Sequence, residues 1–404
     1  MYSNQSLSSF GASVSGNCCI VAIGFGWGAA NVAGVKLCAY ERGRLRLLDE
    51  TDANMRVGAV CFACEGGILY VAEEHASDVR LQGSGTIRAY RLSNDKLEEL
   101  GTFPSGDAYP CALAVDSRGS VLAVAHHGLN SSFGLFEESR PGYLVLHQLD
   151  DGIPSGDWQV LERQDVATSS QSYYHSVAFL DDDLVLASNT GANTIDMYCI
   201  CANNAMHPVQ NTILDALGSG PRNIKVLKQS RIVIFNYEFD NGFGFLFQKC
   251  LGRAHPLDPA DNHSCRERRG SSRRDEANME MVVRRINWSS NDNLTVQSNS
   301  SFAIHPYGRW AYAINRAESQ IDCFTFDNRA PVLSKFASYG IDGKRARDII
   351  VSPDGRYVFL ADTDFDRILR FDIGGDGAIS NPACVLETPR PTVIVAAPST
   401  WLSN

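Results

Sequence analysis

Arg56, Glu73, Glu74, His126, His127, His175, Asn189, Asn193, Arg222, Glu238, Asn315, Arg316, Arg347 and Asp362 hold matching places in a 404-residue chain, each just before one apolar run or just after the next. Arginine grips carboxylates and phosphates through paired N–H donors. Histidine exchanges protons near neutral pH, and a carboxylate among arginines stays ionised. Brought to one place, such side chains form an anion site equipped for proton transfer. His175 and Glu238 are the candidates for moving the proton, with Arg222 and Arg316 beside them. Arg347, His127, Arg56, Asn189 and Asn315 are the candidate substrate contacts. Taken singly, each also reads as an ordinary polar residue at the end of a strand.

The elements that must position these groups repeat. Six stretches carry an apolar run, a polar turn and a second apolar run: AVCFACEGGILYVAEEH from Ala59, ALAVDSRGSVLAVAHHG from Ala112, SVAFLDDDLVLASNTG from Ser176, NIKVLKQSRIVIFNYE from Asn223, SFAIHPYGRWAYAINR from Ser301 and DIIVSPDGRYVFLADTD from Asp348. Each predicts a β-hairpin, and most are followed by a third strand pattern such as TIRAYRL, TIDMYCI, QIDCFTF or RILRFDI. Four antiparallel strands per unit, repeated at about 40–50 residues, predict propeller blades packed in a ring. CIVAIGF, GVKLCAY and RLRLLDE near the start lack a first strand, which TVIVAAP near the end can supply. The expected fold is therefore all-β, a seven-bladed propeller closed by its N- and C-terminal strands. In every antiparallel hairpin the start of the first strand and the end of the second share one rim, so the residues named above converge on one mouth of the central channel.

Composition fits a single propeller domain over 1–404, with blades over 18–398 and a charged insertion at 250–285. That insertion is dense in Arg, Asp and Glu and reads as a solvated loop, or else as a lid or partner-binding arm. A net charge of −10 opposes binding to nucleic acid or to an anionic membrane. The stretch from Cys18 to Val35 is broken by glycines and preceded by no Lys or Arg, so strands are expected there rather than a leader, and a cytoplasmic location with them. The 12 cysteines are scattered through strand patterns and read as reduced thiols, the lone Cys61/Cys64 pair included. No phosphate loop, nucleophile elbow or zinc helix occurs. No cofactor or metal is required by this residue set, and a monomer is expected because a closed ring leaves no sheet edge to share.

Several of these stretches resemble the seven-bladed β-propeller lactonases, which include 6-phosphogluconolactonases and carboxymuconate lactonising enzymes. The matching text is His-Ser-Val at His175, Gly-Pro-Arg ending at Arg222, Asn-Tyr-Glu ending at Glu238, Asn315-Arg316, and the run from Arg347 to Gly355. The resemblance implies an active site at His175, Arg222, Glu238 and Arg316, and a carboxylic ester hydrolase acting on a sugar-acid lactone. It also leaves open a muconate-type lactonising cycloisomerase. A non-catalytic propeller binding a protein or glycan is the reading from another class. The chain departs from the family pattern at Tyr173-Tyr174-His175, where His-x-His is usual, at Asn189 and Asn193, where Asp is usual, at His126-His127, where Asn-Tyr is common, and at Asn223, where His is usual.

Overall fold

The computed structural model describes residues 19–26, 32–51, 56–63, 67–75, 84–128, 141–161, 172–200, 206–213, 220–227, 232–239, 242–248, 279–285, 299–327 and 332–398. These residues form seven four-stranded antiparallel sheets. Blade 1 combines Val393–Ala396 with Cys19–Phe25, Gly34–Glu41 and Arg44–Glu50. Blades 2 to 7 follow in chain order, with first strands at Val57–Phe62, Pro110–Val115, Tyr174–Asp181, Pro221–Leu227, Asn299–Ile304 and Ala346–Val351. The outermost strand of blade 5 is Met279–Arg285, so the expected insertion ends in a strand; its residues 250–278 lie outside those described. Cys64 does too.

Second strands are buried nearly throughout, from end to end in Ile68–Glu73 and Val121–His126, because both faces of each sheet are covered by neighbouring blades. Alternate residues serve opposite neighbours. Leu69 and Val71 pack toward blade 1 while Ile68 and Tyr70 pack toward blade 3. Ile232 and Ile234 join blade 6, and Val233 and Phe235 join blade 4. Each apolar cluster bridges two adjacent blades, and together the clusters run once round the ring. Outer strands such as Lys96–Pro104 alternate half-buried with exposed residues, since only one edge of the blade reaches water there.

Ring closure rests on the pairing of Val21 with Ala396 through Gly24 with Val393. Side chains reinforce it. The Asp348 carboxylate of blade 7 accepts from the Ile394 N–H at 2.9 Å, and the Thr392 hydroxyl donates to Gly24 O at 3.1 Å or Val57 O at 3.0 Å. Ile394 is 2% exposed and packs between blades 1 and 7. Truncation by Ile394→Ala is expected to lower stability by about 2–5 kcal/mol through the cavity it leaves, read as a lower urea midpoint. An unchanged midpoint would mean that the terminal strand does not carry the closure.

Candidate active site at the channel mouth

One backbone device recurs at the mouth. In blades 2 to 7 the register of the first strand against the second shifts near its start, for example between Pro110 and Ala112, Tyr174 and Ser176, Pro221 and Ile224, and Ala346 and Asp348. A bulge re-aims the extra residue. Cys111, His175, Arg222 and Arg347 occupy this position in blades 3, 4, 5 and 7. In blade 2 it is Gly58, where an added Cβ would lie 2.8 Å from Glu74 Cβ and 2.8 Å from Pro110 O. The second set of groups sits one residue beyond each second strand: Glu74, His127, Glu238 and Arg316.

Glu238 is the junction. Its Oε1 is 2.5 Å from Arg222 Nη1 and its Oε2 is 3.3 Å from His175 Nε2. Its backbone N–H donates to Gly220 O at 2.7 Å. Gly220 has φ +60°, and a Cβ there would meet Thr190 Cγ2 at 2.8 Å, so glycine suits both the conformation and the space. His127 packs edge-on against His175 with ring centroids 4.7 Å apart and stacks on Tyr173 at 5.4 Å. Arg316 donates to Ala346 O at 3.1 Å and to Ser300 Oγ at 2.7 Å, while Ser300 Oγ donates to Arg347 O at 2.6 Å. Side chains from blades 3 to 5 thus meet around Glu238, while Arg316 and Ser300 of blade 6 are anchored to the backbone of blade 7.

The electrostatics follow from this packing. Burial raises the Glu238 pKa, but Arg222, then His175 and Arg316, outweigh it and hold the carboxyl far below its ordinary range. Burial and Arg222 lower His175, with Glu238 opposing, so its imidazole is neutral at pH 7. An ionised Glu238 only accepts hydrogen bonds, which places the His175 proton on Nε2 and leaves Nδ1 as the basic nitrogen. Burial and His175 push His127 down to about 3. Burial, Arg222 and Arg347 depress Arg316, and burial and Arg222 likewise depress Arg347, although Glu74 is the largest charge opposing the shift in Arg347. Guanidinium groups keep their protons, so these shifts express a like-charge repulsion that an anionic guest would relieve. Cys111, whose thiol donates to Tyr174 O at 3.0 Å, is raised by burial and by Glu74, with Arg222 and Arg347 acting the other way.

Five of the sequence candidates therefore meet here: His175, Glu238, Arg222, Arg316 and His127, with Arg347 coupled to them. Arg56 is exposed at the rim, its carbonyl accepting from the Glu74 N–H at 2.7 Å. Others are corrected. Asn189 is fully buried and its Oδ1 accepts from the backbone N–H of Tyr173 and Ala192 at 3.1 and 3.0 Å. Asn315 is buried in the same role, accepting from Glu318 N–H at 3.1 Å. Both build turns instead of offering polar atoms to a ligand. Asn193, at φ +57°, accepts from Gly220 N–H, and Asp362 pairs with Arg367 at 2.9 Å. Glu73 turns into its own blade toward Arg88 at 2.8 Å, and His126 is buried with Nδ1 3.0 Å from Tyr143 O. Cys111 and Ser300 were missed. Aligning the repeats places Cys111 in one column with His175, Arg222 and Arg347, which is the signal that finds it.

Residues 29–396 match the family model for Lactonase, 7-bladed beta-propeller. The chain belongs to this lactonase family. The 6-phosphogluconolactonase of Formosa agariphila is 21% identical over 338 residues, which cover 81% of this chain and 84% of that protein. The 6-phosphogluconolactonase of Pectobacterium carotovorum is 28% identical over 96 residues, a match spanning only 28% of its length. Among solved structures, the periplasmic gluconolactonase of Pseudomonas aeruginosa superposes with a TM-score of 0.74 at 16% identity, covering 94% of this chain and 99% of that one. That likeness is one of fold. Family membership places the chain among lactone hydrolases.

His126 supplies a test of the packing behind the mouth. Burial lowers its pKa to about 3 from an ordinary 6.5, with His147 adding to the shift, so the folded state resists its protonation. Its contribution to stability is present above pH 6.5 and is lost as the pH falls toward 3. His126→Asn, which keeps an N–H donor without taking up a proton, is expected to flatten the fall of the urea midpoint over that interval. An acid limb identical to the native one would exclude His126 as its source.

Proposed function

We propose that this lactonase hydrolyses an anionic sugar-acid lactone at the channel mouth, with His175 as general base, Glu238 as its orienting partner, and Arg222 and Arg316 as the fixed positive charge. The observation that carries this reading is the placement of Glu238 between His175 at 3.3 Å and Arg222 at 2.5 Å. Glu238 is too strongly stabilised as a carboxylate to take a proton itself, whereas a neutral imidazole held by a carboxylate is a competent base.

In this scheme water loses a proton to His175 Nδ1 as its oxygen attacks the lactone carbonyl. The developing oxyanion is held by the arginine cluster. The ring C–O bond then breaks, the leaving alkoxide takes the proton from His175, and the product is an open-chain hydroxy acid. Arg347 and the rim arginine Arg56 are suited to hold the carboxylate or phosphate of the substrate. The surplus of arginines over carboxylates at the mouth favours a charged lactone over a neutral one. Both sequence relatives are 6-phosphogluconolactonases, which points the same way.

The test is acid release from phosphorylated and unphosphorylated sugar lactones and from muconolactones, by the native protein and by Glu238→Gln. Loss of the Glu238 charge is expected to reduce kcat/KM by about 10²–10⁴. Because Glu238 raises the His175 pKa against burial and Arg222, its removal shifts the acid limb of kcat/KM to lower pH. An acid limb that stays in place would remove the His175–Glu238 pair from catalysis. Turnover of none of the lactones would overturn the hydrolytic reading.

A further inference from the structure

The opposite face of the propeller carries a groove of a different character. The turns joining first to second strands lie at the far end of the channel from the active mouth, and two of them share the pattern Pro-x-Gly-Arg: Pro306 to Arg309 in blade 6 and Pro353 to Arg356 in blade 7. Between them opens a groove of about 560 Å³ lined by Arg309, Arg356, Tyr307, Trp310, His305 and Asp354. That volume falls within the roughly 300–1,000 Å³ typical of small-molecule sites.

The charges in this groove are unbalanced. Both Asp354 oxygens are engaged, Oδ1 by Ser352 Oγ at 2.6 Å and the Arg356 N–H at 3.1 Å, and Oδ2 by Tyr40 OH at 2.8 Å. Neither the Arg309 nor the Arg356 guanidinium has an ion pair or hydrogen bond among the described residues. The corresponding turn of blade 3 behaves otherwise: Arg118 is met by Asp116 at 3.2 Å and Asp183 at 3.6 Å. In a chain of net charge −10, two exposed arginines left facing one groove form a local anion trap. One wall is aromatic, and Ile373 with Gly355, Gly374 and Gly375 completes the lining. Tyr307 is 70% exposed, its ring 5.3 Å from that of His305, which packs edge-on against Trp310 at 4.9 Å. His305 is held in turn by Gly355 O at 2.9 Å.

We propose that this groove binds an aromatic phosphomonoester of nucleotide size, its phosphate gripped by Arg309 and Arg356 and its ring laid against Tyr307. Two forked guanidinium groups suit a multi-oxygen anion, and an exposed aromatic face beside them suits a flat ring. The site is separate from the channel mouth and does not depend on the lactonase reading.

Titration calorimetry with AMP, ribose 5-phosphate and inorganic phosphate tests it on the native protein, Arg309→Ala/Arg356→Ala and Tyr307→Ala. All three substituted residues are exposed, and circular dichroism verifies that the variants fold. Saturable binding of one AMP is expected, weakened at least about tenfold in both variants, with ribose 5-phosphate and phosphate binding at least about tenfold more weakly than AMP. Absence of AMP binding at millimolar concentration, or AMP binding that survives loss of both arginines, would overturn the proposal. Equal affinity for ribose 5-phosphate and AMP would overturn the stacked ring.

Discussion

A β-sheet that is apolar on both faces has no stable surface until both faces are covered, and every other feature of this molecule follows from that requirement. Leu69 and Val71 need one neighbour while Ile68 and Tyr70 need another. The demand passes from blade to blade until the ring closes on itself through Val393–Ala396. Closure fixes the distance between blades at the channel, and with it the separation of side chains that belong to different blades. His175, Glu238 and Arg316 come from blades 4, 5 and 6 and are neighbours only because the sheets behind them are packed tightly.

On that scaffold the bulge at the start of each first strand does the chemical selection. It turns one residue per blade out of the ladder, and the residue after each second strand completes the set. The result is a mouth organised about one strongly held negative charge, Glu238, with Arg222 on one oxygen and His175 on the other. Arg316 and Arg347 add repulsion that hydrogen bonds to Ala346 O and Ser300 only anchor.

The blade count and the pairing of chain ends were legible because apolar runs of period two, interrupted by Gly-containing turns, have few other solutions. The gathering of His175, Arg222, Glu238 and His127 at one mouth was legible in outline for the same reason, since the rim positions follow from hairpin geometry. What alternation alone misplaces is the face. Glu73 and Glu74, or His126 and His127, are adjacent and chemically alike, and the bulge in the partner strand determines which of them turns to the channel. Asn189 and Asn315 misled because a polar residue at the end of a strand serves a backbone turn as well as it serves a ligand. Cys111 was overlooked because a thiol among aliphatic residues reads as core; only its column in the repeat reveals it.

Blade 1 also sets the order in which the molecule can be completed during synthesis. Its strand Cys19–Phe25 waits for a partner some 370 residues later in the chain, about the largest contact separation the sequence permits. Until Val393–Ala396 emerges, the ring is an open arc in which six blades are covered unevenly and one strand edge is bare. The arginines of the mouth are then spread along an arc that has not yet been drawn together. A chain cut before Val393 would lose not a fraction of the mouth but the closure that sets the spacing of all its side chains.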